Sequence, residues 1–395
     1  MKGGSVVKML TAYTEEVDEI EDGIAELLGQ IDLGALKKNS VGIVTCHFDF
    51  IHSRFIEAMG KKLPFDVIGM TTMSSTDQHG LGMYALTLTV LTSDDLVFET
   101  VISESLDTDD YGNKVEAAYS DAARKLPGDP SLIVGLLPLL KFPNGAELHK
   151  SLDKACGGIP IWGGVATHTD TGYEHCYTFR NGDYSRDGMA LLLIHGPIEP
   201  EFIVVSLPLQ NIQKNQGKIT KSDGCLLQEI NGIPTLQYLE ILGIVIMESA
   251  PLTMPMMTYY EGIPEPVALA IYAVNDDGSI SCGGEMTEGS AVAVGEITVG
   301  SVMASAREAL DRALGCGKRG GMLVLPCVSR YVMLSPNNDD EMVLVSEKMG
   351  NDNLLGTSLM PFMAGYAGGE ICPVRDRNGV LRNRFHNFTF SVCVF

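Results

Sequence analysis

Short apolar runs alternate with polar, turn-forming segments along this chain, and the spacing inside the runs switches between two periods. Leu10, Tyr13, Val17, Ile20, Ile24, Leu27 and Ile31 recur at helical spacing, with Thr14-Glu15-Glu16 early in the segment. That pattern predicts one amphipathic helix with acids toward its positive end. Residues 41–46 then read as a buried strand, 51–59 as a helix, and 65–70 and 84–91 as further strands. The order returns with a helix over 115–126, a strand over 131–136, a helix capped by Asn144 and running to 155, and a strand over 159–162. Strands over 189–194 and 202–205 follow. A third pass comprises 321–325, a helix over 342–349, a strand over 362–364 and a closing strand over 388–395.

Each pass thus runs strand, helix, strand, glycine-bearing turn and outgoing strand, an order that suggests internal repetition. Gly69, Gly163 and Gly365 are expected just after the second strand, where glycine permits a positive φ or a close approach. The polar stretch 210–224 interrupts the scheme and predicts a seam near residues 206–214, dividing 1–205 from 206–395. Beyond it, Pro234 suits the first turn of a helix reaching Leu242. Residues 267–274 read as a strand, and Asp276-Asp277-Gly278-Ser279 as a hairpin turn before Ser281 and Cys282. Thr298 or Ser301 caps the next helix. The predicted class is α+β: two domains of mixed or largely antiparallel sheets with helices on one side of each.

Bulk properties narrow the function. A chain of 395 residues with 45% hydrophobic and 20% charged residues has the composition of a globular protein of two or three domains. Its net charge of −22 repels phosphate backbones and anionic head groups, so neither nucleic acid nor a membrane surface is an expected partner. Nine dispersed cysteines without any Cys-x-x-Cys argue against a disulfide framework or structural zinc and for a reducing compartment. The N-terminal residues do not form a signal-peptide core. No apolar run reaches the roughly 18–20 residues of a membrane span, and the expected location is the cytoplasm. Asn387-Phe388-Thr389 matches a glycosylation acceptor that matters only in a secreted chain.

Chemistry-bearing motifs are few. Gly315-Cys316-Gly317-Lys318 has a Gly-Lys pair but lacks the Ser/Thr of a phosphate loop and follows a helix, so it reads as a helix end and turn. His168, Asp170, Glu174, His175 and Cys176 are the densest metal-capable cluster, without helical His spacing, and read as a polar loop; no metal and no cofactor is expected. Cys327 and Arg330 lie just beyond a buried strand, where a guanidinium favours a nearby thiolate or holds a carboxylate ligand in a fork. Tyr366, Gly369 and Glu370 combine an aromatic ring, flexible backbone and a carboxylate at a strand end. Glu370 taking an ammonium and Arg330 a carboxylate would suit an amino acid.

Cys327-Val328-Ser329-Arg330, the turn Gly365-Tyr366-Ala367-Gly368-Gly369-Glu370-Ile371 and Asn383-Arg384-Phe385-His386-Asn387 before the last strand resemble the C-terminal domain of the FIST family. Ile230-Asn231-Gly232-Ile233-Pro234 resembles that family's passage from hairpin to helix. Val67-Ile68-Gly69-Met70-Thr71-Thr72 and Ile161-Trp162-Gly163-Gly164-Val165-Ala166 resemble the glycine turns of its N-terminal domain. The resemblance implies an intracellular sensory module that binds small ligands, notably amino acids or derivatives, through Thr71, Thr72, Gly163, Gly164, Cys327, Arg330, Tyr366, Gly369, Glu370 and His386. With the two regions filling the chain, the signal is expected to pass to a separate protein. Two alternatives stand beside it: an enzyme with Cys327 as nucleophile and His386 as base, and a ligand-free interaction scaffold.

Overall fold

The computed structural model describes residues 6–168, 174–246, 254–350 and 360–395. The first pass holds β1 (Lys8–Thr14), α1 (Ile20–Gln30), β2 (Asn39–Cys46), α2 (Asp49–His52), α3 (Phe55–Lys62), β3 (Val67–Thr71), β4 (Ser75–Asp77), β5 (Leu81–Gly82) and β6 (Leu86–Ser93). The second holds β7 (Val97–Ile102), α4 (Tyr111–Ala123), β8 (Leu132–Leu137), α5 (Gly145–Cys156), β9 (Ile161–Val165), β10 (Thr178–Arg180), β11 (Asp183–Ser185) and β12 (Ala190–His195). The third opens with β13 (Glu201–Val205). It then departs into β14 (Gly217–Asp223), β15 (Leu226–Ile230), β16 (Ile233–Pro234), α6 (Thr235–Ile241), β17 (Pro255–Tyr259), β18 (Val267–Val274), β19 (Ile280–Cys282) and β20 (Ala291–Val294). It resumes with α7 (Val299–Gly315), β21 (Met322–Pro326), α8 (Val328–Met333), α9 (Asp340–Lys348), β22 (Phe362–Gly365), β23 (Glu370–Arg375), β24 (Leu381–His386) and β25 (Phe390–Val394).

The expected repetition is real, and its pairing is cyclic. The strand orders are β1-β6-β2-β3-β10-β11, β7-β12-β8-β9-β23-β24 and β13-β25-β21-β22-β4-β5. Each sheet has one parallel pair, β2–β3, β8–β9 or β21–β22, and is otherwise antiparallel. The hairpin after the third strand of each unit, the inserted barrel aside, leaves its own sheet: β4–β5 joins unit three, β10–β11 joins unit one, and β23–β24 joins unit two.

One face of every sheet meets a shared core that includes Met9, Ile43, Met70, Val134, Trp162, Leu192, Leu323, Met363 and Cys393. The opposite face packs on that unit's own helices, as Val44 and Leu88 do against Ile24 and Phe55. Both faces are therefore buried, which is why the strands read as continuous apolar runs. β14, β20, β17, β18, β19 and β15 close into a small barrel inserted between the first strand and first helix of unit three, with a core of its own.

Two expectations need correction. Residues 10–31 are not one helix. Leu10 and Tyr13 belong to β1, which pairs along its length with β6, and the helix spans only Ile20–Gln30. Gly69, Gly163 and Gly365 lie within β3, β9 and β22 and not after them. Close approach explains two of these. A Cβ on Gly163 would stand 1.9 Å from the Gly135 carbonyl oxygen, and one on Gly69 would stand 2.1 Å from the Phe179 ring. The predicted caps form: Asn144 and Thr298 each make a reciprocal capping box. Among the described residues no helix is long and apolar enough to cross a membrane.

Candidate functional site

The repeat makes equivalent positions readable from hydrogen bonds. The N–H groups of Thr72, Ala166 and Ala367 donate to the carbonyls of Cys46, Leu137 and Pro326 at 3.0, 2.9 and 2.9 Å. The residues following those carbonyls are His47, Pro138 and Cys327. His47 N–H donates to Ala85 and Cys327 N–H to Thr389, each just before its unit's last strand. The first hairpin residues correspond likewise: Ser75 pairs with Gly365, Thr178 with Met70 and Glu370 with Gly164. One polar end of the molecule therefore gathers the strand ends of all three units, and the sequence candidates cluster there.

In unit three, Glu370 is fully buried and its Oε2 accepts the Thr389 hydroxyl at 2.6 Å, while Oε1 has no hydrogen-bond partner. Burial pushes its carboxyl up to about 8, against the pull of Thr389 and Cys327, so it is mostly protonated at neutral pH. Cys327 is buried beside it, and its thiol contacts Ser329 Oγ at 3.6 Å. Burial, with the neighbouring Glu370, pushes that thiol well above its ordinary value, so it is not a thiolate.

Arg330 has a different partner from the one expected. Its Nε and one terminal nitrogen bond Glu341 Oε1 at 3.0 and 2.5 Å, and its remaining donors go to the Phe388 and Val302 carbonyls at 3.1 and 2.8 Å. Arginine and glutamate are 1% and 0% exposed. A buried guanidinium needs compensation, and Glu341 of α9 provides it, so the fork proposed for a ligand carboxylate is already filled by the chain. Tyr366 is buried next to this pair, edge-on to Tyr331 at 5.2 Å between ring centroids.

His386 and Cys327 do not pair. The imidazole Nε2 meets the Cys372 carbonyl at 3.0 Å, which fixes it as the donor and leaves Nδ1 as an acceptor. Burial lowers His386 to about 4, so it stays neutral. A protonated thiol and an imidazole engaged elsewhere lack the activated pair that thiol catalysis requires. Gly163 and Gly164 lie opposite Ile371 and Glu370 across the β9–β23 pairing. Thr71 and Thr72 belong instead to unit one: Thr71 Oγ1 accepts the Tyr177 N–H at 3.0 Å, and Thr72 Oγ1 meets Ser75 Oγ at 3.0 Å.

At the unit-one end the structure adds His47, Phe48 and Asp49, which were not singled out in the sequence, to His168 and His175. His47 Nε2 lies 3.1 Å from His168 Nε2, and its Nδ1 faces Asp49 at 3.1 Å. Phe48 packs against His47, His168 and His175, its ring stacked on the last at 4.4 Å. Burial lowers His47, although Asp49 opposes the shift. Its signal was its place after an apolar strand, the place Cys327 occupies in unit three. Of the metal-capable cluster in the sequence, Asp170 lies outside the described residues. Among those described, no group of three or more ligating side chains is placed to hold a metal.

The FIST N domain matches residues 40–233 and the FIST C domain residues 235–373. The chain belongs to the FIST family. FIST domains are small-ligand-binding sensory domains. No curated protein matches the chain. Among solved structures, a cyanuric acid hydrolase from A. caulinodans is similar over 64% of this chain and 79% of its own, at 12% identity and a TM-score of 0.31.

Proposed function

We propose that this FIST protein senses a small molecule of the amino-acid class at the unit-three end and reports its presence to a separate signalling protein. The observation that carries the reading is Glu370: a fully buried carboxyl with one oxygen bonded to Thr389 and the other without a partner. An orphaned polar atom in a dry interior is costly, and a ligand ammonium, whose approach would draw the carboxyl into its ionised form, would satisfy it. Cys327, Gly164 and Gly369 border the same carboxyl, whereas Arg330 and Tyr366 act behind it by holding α8 and α9 in place. Nine cysteines without a disulfide support a reducing, cytoplasmic setting.

The test is a thermal-shift screen of the purified chain against the standard L-amino acids. A cognate ligand at a hundredfold excess over Kd should stabilise the protein by about 2.7 kcal/mol. Glu370→Gln should remove most of that response while remaining folded. A flat response across the panel, or an unaltered response in Glu370→Gln, would sink the assignment.

A further inference from the structure

Three seams separate the sheets, each between the edge strand of one unit and the hairpin received by its neighbour. The seam between β7 and β10 is filled: Arg180 donates to Thr100 Oγ1 at 2.8 Å and to Asp66 at 2.6 Å. Arg180 stands two residues after Thr178. Two residues after Glu370, the counterpart of Thr178, stands Cys372, too short to make such a bridge. In this third seam, between β13 and β23, there is a cavity of about 210 Å³.

We propose that this cavity seats the ligand, a zwitterion of amino-acid size, and that the inserted barrel forms one of its walls. The inference rests on the sensor reading above. Its floor contains His386 and Thr389, 2% and 1% exposed, and the Thr389 hydroxyl is the group bonded to Glu370. The cavity thus reaches from outside to Thr389, one side chain short of Glu370. Its rim carries both signs of charge, Arg312 and Arg375 against Glu201 and Glu265. Arg375 and Glu201 are 3.9 Å apart and both partly solvated, a weak pair that a carboxylate can displace.

Phe202 and Val204 supply an apolar side for the ligand's own side chain. A volume below the usual range of about 300–1,000 Å³ for ligand pockets selects a small metabolite over a peptide. Pro264-Glu265-Pro266 of the barrel closes the opposite side, and Arg377 N–H donates to Gly262 O at 2.9 Å, tying the β23–β24 hairpin to the barrel. A bound ligand therefore touches both bodies, and its arrival tightens the barrel onto the three-sheet body.

The experiment titrates the full chain with each stabilising L-amino acid in wild type, Ser206→Trp, which fills the cavity, and Arg375→Glu, which reverses its rim. Both variants should bind roughly tenfold or more weakly, with unliganded melting unchanged. Arg375→Glu, a surface change, decides the matter if Ser206→Trp fails to fold. Wild-type affinity in both variants, with loss only in Glu370→Gln, would overturn the cavity and leave the sensor reading intact. If no amino acid binds wild type, both fall.

Discussion

His47 and Cys327 occupy the same position in two copies of one unit and both are buried, yet their neighbours differ. At the unit-one end, His47 and His168 meet ring to ring, Asp49 reaches in from a half-exposed position, and Tyr84 is 62% exposed beside them. At the unit-three end a thiol and a carboxyl lie side by side in full burial, backed by the Arg330–Glu341 pair. The backbone scaffold is common to both. What distinguishes them is what each buried group meets: a second ring and a half-exposed acid in unit one, a carboxyl and a closed ion pair in unit three. The repeat supplies a frame, and the neighbours assign the chemistry to each copy of it.

Breaking the unit-three end should have the largest effect. Arg330→Ala leaves Glu341 as an uncompensated buried charge and should cost about 3–5 kcal/mol in denaturant unfolding. Replacing both partners with apolar residues should recover much of that loss. A smaller cost would mean that water reaches the pair.

Next comes the pH dependence of Glu370. Its folded pKa is raised from 4.5 to about 8, so its contribution is full below 4.5 and is lost as pH rises through about 8. Glu370→Gln lacks that loss, and its stability relative to wild type should climb across the window, by no more than about 5 kcal/mol. A constant difference between the two proteins would show that the carboxyl is ionised when folded. His386 works in the opposite direction. Lowered from 6.5 to about 4, it contributes fully above 6.5 and is lost as pH falls through about 4, in wild type and variant alike.

The smallest effect belongs to unit one. His47→Ala removes the contact with His168 and should cost about 1 kcal/mol, measured by the same unfolding assay. An effect as large as that of Arg330→Ala would erase the distinction between the two ends.

How far the sequence led depended on the range of the interactions. Strand–helix–strand order, the Asn144 and Thr298 caps and the Asp276–Ser279 turn were legible because each is settled by neighbours a few residues apart. The grouping of Cys327 with Glu370 was legible only through resemblance. β1 was misread because Leu10 and Tyr13 fall at helical spacing with Val17, while the pairing with β6 that puts the first two in a strand comes from residues more than seventy positions later. Arg330 was recognised as important, but its partner Glu341 stood just before the helix predicted over 342–349, with nothing to mark it as buried. The hairpin exchange left no local trace, since β4, β10 and β23 read alike whichever sheet receives them.

That exchange also bears on how the chain acquires its fold during synthesis. Residues 97–195 of the second unit lack two strands of their sheet until β23 and β24 emerge, and the third unit's sheet uses strands β4 and β5 made near the beginning. No unit has a complete sheet of its own, so the ring closes only after β23, β24 and β25 have left the ribosome. The barrel, whose strands pair among themselves, is under no such delay and is free to form first. A nascent chain stalled before β23 would therefore present a folded barrel and a complete first sheet beside two unfinished ones, each with an unpaired edge open to the wrong partner.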